Sequence, residues 1–317
     1  MLQTILGSGG GIGLPLAREL RNYTENIRLV SRNPEKVNDS DEIFKADLKD
    51  LSQVERVITG SEVVYVTVGF EYNLRIWQTV WPALMQAVIR SCSKHGSRLV
   101  FFDNIYVYSE DSVPFMTEES RLDPPSKKGK VRQQLHEMIM QAAEEKKVNA
   151  MIVRAADFYG PETNGSALKI MAADNLMKGK KAQVFGDPDK IHTFTYTPDA
   201  AKATALLGNT PEAYNQVWHL PTTRERLTTR QWIGLIAKEL GVEPKIQKVP
   251  EILLNVMGLF IPIMRELPEM LYQNRQDYIF DSSKFEKRFG ITATRPEEGV
   301  RMMMEYLEKD LNPPASS

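Results

Sequence analysis

Short apolar runs and helix-spaced segments alternate along the first half of the chain. Nearly continuous apolar runs occur at Gln3–Leu6, Ile27–Ser31, Ile43–Lys45, Val63–Val68, Arg98–Phe102 and Ala150–Arg154. Runs of this length read as strands covered on both faces. Between them lie helical patterns at Leu14–Arg21, Leu51–Ile58, Ile76–Lys94 and Lys130–Lys147. In the last of these, Val131, Leu135, Met138, Ile139 and Ala142 share one face and charges occupy the other. Strand–helix alternation at this spacing predicts parallel βαβ units. Right-handed crossovers then make an α/β fold with a doubly wound parallel sheet.

The rhythm changes at Pro161, where turn residues become dense and helices dominate. Asp199–Leu207, Thr229–Leu240 (stopped by Gly241) and Glu297–Leu311 read as helices, and Gln216–Leu220 reads as a strand able to rejoin the sheet. The longest apolar stretch, Ile252–Met264, contains Asn255 and Pro262 and is too short to span a bilayer. A packed helix is expected there; an exposed patch for a partner or membrane surface is the alternative. The closing residues 312–317, NPPASS, are expected to be disordered. No repeat is visible.

The first strand runs into a glycine-rich turn, MLQTILGSGGGIG. Gly7, Gly10 and Gly13 fit G-x-x-G-x-x-G, whereas Gly9, Gly11 and Leu14 fail the dinucleotide pattern G-x-G-x-x-G. Strand, turn and helix in this order build a diphosphate-binding corner. One glycine permits the tight turn, one lets backbone N–H groups approach a pyrophosphate, and one lets the helix pack close. Gly7, Gly10, Gly11, Ile12 and Gly13 are therefore candidate cofactor contacts; the alternative is a flexible turn with no ligand. The domains follow: a Rossmann domain over 1–160, rejoined by about 195–220, and a smaller, mainly helical substrate domain over 161–194 and 221–317.

Composition narrows the classes. The 317 residues are 42% hydrophobic and 26% charged with net charge −1, so no pull toward nucleic acid or anionic membrane is expected. The single cysteine, Cys92, excludes an internal disulfide and a cysteine metal site and suits a reducing, cytoplasmic setting. No signal peptide is expected, because the fold begins by residue 2.

Taken with its later motifs, the chain resembles the short-chain dehydrogenase/reductase superfamily, in its extended, NAD(P)-dependent epimerase/dehydratase-like form. Gly7, Gly10 and Gly13 match the family's glycine turn. Asp47-Leu48 matches the acidic pair that holds the adenine, and Val68-Gly69 ends the segment beneath the cofactor. Arg154–Pro161 is similar to R-x-x-x-x-Y-G-P, Thr195–Ala201 to F-x-x-V-x-D-x-A, and Asp281–Gly290 to D-x-S-K-x-x-x-x-x-G. The resemblance implies a nicotinamide cofactor and, through paired helices of the first domain, a homodimer. After the second strand stands Ser31-Arg32 rather than an acidic residue. A hydroxyl and a guanidinium favour a 2′-phosphate, so NADP(H) is expected over NAD(H); an ordinary solvated arginine is the alternative.

The family's catalytic residues are replaced together. Its Tyr and Lys, four apart, align with Lys128 and Arg132, and its Ser aligns with Asn104. Such members are grouped as atypical. Asn104 can hydrogen-bond a carbonyl oxygen but cannot exchange a proton at neutral pH. Arg132 can hold ribose hydroxyls, and its charge makes a Lys128 ammonium donor conceivable. Tyr106, Tyr108 and Tyr159, near carboxyl ends of strands, could supply a phenol. The alternative makes Lys128 and Arg132 a solvated helix start and the tyrosines packing residues.

Candidate substrate contacts are Tyr108, Asp157, Phe158, Tyr159 and His192. His192 replaces the Arg that binds a substrate diphosphate in sugar-nucleotide relatives, which argues against such substrates; a structural, hydrogen-bonded His in a domain seam is expected instead. His95, His136, His192 and His219 show no ligand spacing, so no metal is expected. Three functions stand: an NADP(H)-dependent oxidoreductase acting on a small carbonyl or alcohol; a non-catalytic NADP(H) sensor; and a sugar-nucleotide epimerase or dehydratase.

Overall fold

A computed structural model describes residues 1–311; the 312–317 tail, expected to be disordered, lies outside the described residues. The chain divides into two compact units. Unit 1 comprises Met1–Ser109, Ser120–Ala155 and Ala200–Leu220; unit 2 comprises Glu110–Glu119, Ala156–Asp199 and the chain from Pro221 onward.

In chain order the elements are β1 (Leu2–Leu6), α1 (Gly13–Leu20), β2 (Asn26–Ser31), β3 (Glu42–Lys45), α2 (Val54–Ile58), β4 (Val63–Val66), α3 (Leu74–His95), β5 (Arg98–Asp103), α4 (Lys127–Glu144), β6 (Ala150–Arg154), β7 (Asp157–Tyr159), α5 (Asp174–Met177), β8 (Ala182–Phe185), β9 (Phe194–Tyr196), α6 (Thr197–Gly208), β10 (Val217–His219), α7 (Thr229–Glu239), β11 (Ile246–Val249), α8 (Glu251–Met257), α9 (Pro262–Glu266), α10 (Ser283–Phe289) and α11 (Pro296–Leu311).

Unit 1 is the doubly wound sheet. Seven parallel strands run in the order β10-β6-β5-β4-β1-β2-β3. The order reverses on either side of β1 and β4, where ligands bind in such sheets. The apolar runs became strands where both faces are covered: Leu6, Val30, Val64, Val66, Phe101 and Ile152 pack with Trp81, Leu84 and Val88 of α3 and Leu135 and Ile139 of α4, and Ile5, Leu29, Val63, Val100 and Met151 are buried on the opposite face, whereas the edge strand β3 leaves Glu42, Ile43 and Lys45 exposed.

Boundaries moved where polar groups competed for the backbone. The fourth strand stops at Val66, two residues early, as Thr67 Oγ1 donates to Gly7 O at 3.2 Å and a loop begins. Asp50 caps a short 3-10 turn, which splits the expected Leu51–Ile58 helix. α4 starts at Lys127, earlier than Lys130, because the Ser126 hydroxyl accepts from Gly129 N at 3.0 Å.

Unit 2 pairs β7 with β9 and β8 with β11, both parallel. Its core gathers Tyr159, Phe194, Tyr196, Trp232, Ile236, Val300 and Met303. The Thr228–Gln231 capping box starts α7. One expectation fails: Ile252–Met264 is not a packed helix. Pro262 starts a second helix instead of continuing the first, and Arg265 Nε closes the corner on Gly258 O at 3.1 Å. Leu254 turns inward, but Ile252 is 73% exposed and Phe260 82%.

Candidate functional site

The β1–α1 turn gives each glycine a different constraint. Gly7 has φ +103°, and a Cβ there would strike the Val68 backbone. A Cβ on Gly13 would lie 2.5 Å from Gly7 O and 2.7 Å from Ser8 Cα. Gly10 faces open space, its nearest neighbour being Gly7 O at 3.9 Å. Two glycines thus fold the corner and the third keeps its face clear. Ile12 is buried and offers no side-chain cap to α1; Leu14 N donates to Gly10 O at 3.2 Å, Leu16 N to Ile12 O at 3.0 Å and Pro15 has no N–H, so the amides for an anion are those ahead of them, at Gly11 to Gly13. Half-buried Gly11 completes the turn.

At the end of β2 the Ser31 hydroxyl is buried without a hydrogen-bond partner, 4.0 Å from where a Gly9 Cβ would stand. An orphaned hydroxyl beside a glycine face invites a polar ligand. Arg32 follows it, exposed. Asp47 is exposed and accepts from Lys49 N at 3.0 Å, while Leu48 is buried in the core. Val68 is half-buried and Gly69 exposed, with nothing within 4 Å of a Gly69 Cβ. A clear glycine face, an uncapped helix start, an orphan hydroxyl and a cation fit a dinucleotide.

A second constellation sits where β4 and β5 end. Asn104 Oδ1 accepts from Tyr106 N at 3.1 Å, which leaves Nδ2 as a donor. The Tyr72 and Tyr106 hydroxyls are 3.4 Å apart. Lys128 is fully buried, its Nζ 4.6 Å from the Tyr72 ring centre. Gly129 lets α4 come this close, since a Cβ there would strike the Tyr106 carbonyl and lie 2.5 Å from Pro124 Cβ. Tyr72 was missed by motif reading; its signal was position alone, three residues after Gly69 in a strand-end loop. Arg132 is buried too, its guanidinium carbon 4.5 Å from the Trp77 ring centre and 4.3 Å from that of Trp81. The solvated-helix-start alternative for Lys128 and Arg132 therefore fails, because both side chains are inside.

Beneath this cluster lies a buried polar network. Asp103 is 3.4 Å from Arg154 Nε and 3.6 Å from Arg132 Nε. Arg154 also donates to the Tyr108 hydroxyl at 3.0 Å and to His136 Nδ1 at 2.8 Å. Tyr108 meets His219 Nε2 at 2.6 Å. Burial, and then the Arg154 charge, push the His136 imidazole down to about 4. Tyr108, expected to face a substrate from a loop, is fully buried with its hydroxyl engaged.

The remaining candidates belong to unit 2. His192 is buried, its Nε2 2.9 Å from Asp157 Oδ2 and its ring stacked on Tyr278 at 4.3 Å. Phe158 is half-buried beside Asp157. Tyr159 is buried in β7 against Trp232, and burial followed by Asp199 holds its phenol well above the usual range. Cys92 is buried and its thiol pushed up to about 12 by burial. Among the described residues no group of His, Cys, Asp or Glu could hold a metal ion, and no helix is long and apolar enough to cross a membrane.

The comparisons follow the same lines. A model of the NAD dependent epimerase/dehydratase family matches residues 4–219. The chain is 23% identical over 291 residues to a 3beta-hydroxysteroid-dehydrogenase/decarboxylase isoform 2 of Arabidopsis thaliana, covering 83% of this chain and 51% of that protein. It therefore spans about half the length of that relative. It is 22% identical over 223 residues to a UDP-N-acetyl-alpha-D-glucosaminuronate decarboxylase of Bacillus cytotoxicus, covering 63% of this chain and 68% of that one. Among solved structures, a dTDP-glucose 4,6-dehydratase from Streptomyces venezuelae with NAD and TYD bound aligns with a TM-score of 0.79 at 16% identity, over 98% of both chains. A UDP-glucose 4-epimerase from Thermotoga maritima with UDP-glucose aligns at 0.80 and 19%, over 98% of this chain and 100% of that one. At these identities the structural likeness is one of fold.

Proposed function

The chain belongs to the NAD dependent epimerase/dehydratase family, and we propose that it is an NADP(H)-dependent oxidoreductase acting on a small carbonyl or alcohol through a rebuilt proton-donor site. The observation that carries the cofactor preference is the orphaned Ser31 hydroxyl with exposed Arg32 beside it. Together they suit a 2′-phosphate, which an acidic residue at that place would repel. Gly7, Gly10, Gly11, Ile12 and Gly13 cradle the diphosphate, with Asp47, Leu48, Val68 and Gly69 along the rest of the dinucleotide.

The bound nicotinamide supplies hydride exchange with the substrate carbon. The chain's own groups handle the substrate oxygen. Asn104 Nδ2 donates a hydrogen bond to it, with its amide oriented by Tyr106 N. The proton passes from the Tyr106 phenol, whose hydroxyl is 3.4 Å from that of Tyr72, or from the Lys128 ammonium, which lies over the Tyr72 ring. Arg132 holds α4 in place as a boxed cation rather than touching ribose. Asp157 and Phe158 are proposed for the substrate side, with His192 as a positioning group through Asp157, while Tyr159, expected to supply a phenol or a substrate contact, is a core residue.

A second reading, a non-catalytic NADP(H) sensor, is favoured by one observation: Arg132, at the place of the family's lysine, has its guanidinium enclosed by tryptophans. A nucleotide-sugar substrate, of the kind held by the dehydratase and epimerase neighbours, has less support because His192 is engaged with Asp157. A cytoplasmic setting and a homodimer through helices of unit 1 accompany the proposal as expectations.

Titration of the wild type and Arg32→Ala with NADPH and NADH tests the reading. The wild type is expected to prefer NADPH, and Arg32→Ala to lose roughly 1–3 kcal/mol of that preference. Equal wild-type affinities overturn it. With cofactor bound, reduction of a panel of aldehydes, ketones and enones separates enzyme from sensor.

A further inference from the structure

Unit 2 holds a cavity of about 330 Å³ that no candidate cofactor or substrate contact lines. Its wall comes from three parts of the chain: Thr222, Arg224 and Arg226 of the loop after β10, the segment from Ile279 to Ser283, and Glu286 and Lys287 of α10. Thr193 lines it too, whereas the neighbouring His192 stacks its ring on Tyr278 and turns Nε2 to Asp157. Adjacent residues of an extended stretch face opposite ways, so the cavity lies on the reverse of the stretch that carries His192.

The wall is arranged around charge. Glu286 is 7% exposed and braces Arg224, accepting from Nε at 2.8 Å and standing 2.6 Å from Nη2. The Arg224 side chain is nonetheless 75% exposed, and its Nη1 is unengaged among the described residues. Arg226 lies 5.5 Å from the Phe115 ring centre, and Lys287 is exposed; neither has a carboxylate partner among the described residues. Glu225, between the two arginines, is outside the wall and stands 3.9 Å from Arg295 Nε. The hydroxyls serve the protein: Thr222 donates to Phe280 O at 3.0 Å, and Ser283 to Asp281 at 2.7 Å. With Glu286 engaged by Arg224 and Asp281 accepting from Ser283, the groups left to meet a ligand are cations. Guanidinium groups held in fixed orientation match the oxygens of a phosphate, and clustered cations favour a dianion over a monoanion. The volume is at the small end of metabolite sites and suits a phosphate monoester of a few carbons. We propose that this cavity binds a small phosphorylated metabolite, its phosphate held by Arg224, Arg226 and Lys287.

Calorimetric titration of the full chain with glycerol 3-phosphate, and with acetate at equal ionic strength, tests this. The readout needs neither bound cofactor nor turnover, so it stands apart from the NADP(H) proposal. The wild type is expected to bind glycerol 3-phosphate saturably and at least ~tenfold more tightly than acetate. Arg226→Gln with Lys287→Gln leaves the Arg224–Glu286 pair intact. This double variant is expected to keep its melting temperature and to bind glycerol 3-phosphate at least ~tenfold more weakly. Arg32→Ala, at the cofactor corner, should bind it as the wild type does. Absence of saturable binding overturns the proposal, as does equal affinity for acetate. Binding that survives the double variant overturns it as well, and a simultaneous loss in Arg32→Ala would move the phosphate to the cofactor corner.

Discussion

The guanidinium carbon of Arg132 sits 4.3 Å from the centre of the Trp81 ring. With the Trp77 ring at 4.5 Å and that of Phe101 at 5.7 Å, the planar cation occupies a place that apolar residues alone would fill in most cores. Its Nε and Nη1 have no hydrogen-bond partner, and Asp103 stands 3.6 Å away.

This enclosure sets the order of substitutions at Arg132. Arg132→Ala opens a cavity beside two indoles and is expected to cost about 2–4 kcal/mol in urea denaturation. Arg132→Met restores volume without an unpaired donor, and Asp103 keeps Arg154, so less than half that cost is expected. NADPH affinity should stay within about threefold of wild type in Arg132→Met; a loss beyond tenfold would return the guanidinium to the ribose.

The glycine turn separates folding from binding. Gly13→Ala drives a Cβ into Gly7 O and Ser8 and should cost more than about 2 kcal/mol of stability. Gly10→Ala meets open space, so its melting curve should match wild type within a degree or two while NADPH affinity falls at least about tenfold. Equal effects of the two on stability would contradict this division.

Lys128 tests the chemistry. Lys128→Met preserves the stem that packs in the core and removes the ammonium over Tyr72, whose hydroxyl is 3.4 Å from that of Tyr106. Turnover is expected to fall roughly 10²-fold or more with cofactor affinity little changed. Tyr106→Phe and Asn104→Ala should fall with it, whereas Tyr108→Phe, whose hydroxyl meets His219 and Arg154, should lose stability first.

Acid should loosen unit 1 through His136. Its folded value is depressed to about 4 by burial and by Arg154, while an unfolded histidine takes its proton near 6.5. Below about 6.5 the unfolded chain binds a proton that the folded chain refuses. The stability is therefore fully present above about 6.5 and is lost as pH falls toward 4, by roughly 3 kcal/mol when complete. His136→Gln keeps an acceptor for Arg154 and removes the titration. The difference between the urea midpoints of wild type and variant should shrink from pH 7 to pH 4, and an unchanging difference would contradict the assignment.

The sheet was legible in the sequence because both-face burial writes itself as unbroken apolar runs; all six runs of the first half became strands, the exposed edge strand β3 alone without that burial. Val217–His219 rejoined the sheet beside β6 as its short apolar run suggested. The glycine turn was legible because Gly7 and Gly13 each exclude a Cβ. Burial of Lys128 and Arg132 was not, because charge in a helix's first turn ordinarily means water. Trp77, Trp81 and Asp103 receive Arg132 and Tyr72 receives Lys128, and all of them are distant in sequence. Tyr72 went unseen for the same reason. The α8–α9 corner misled in the opposite way: an apolar stretch states that a side chain avoids water, not which surface shelters it.

The late arrival of β10 has a consequence for how the chain is made. Its partner β6 ends at Arg154, but Val217–His219 leaves the ribosome some sixty residues later, after the whole 156–199 segment of unit 2. During that interval β6 is a bare sheet edge, and Tyr108 and Arg154 wait without His219. A nascent chain stalled between these points presents unpaired backbone to its neighbours. Synthesis past Leu220 closes that edge, so the timing of translation, and not only the final contacts, decides whether unit 1 is safe from mispairing.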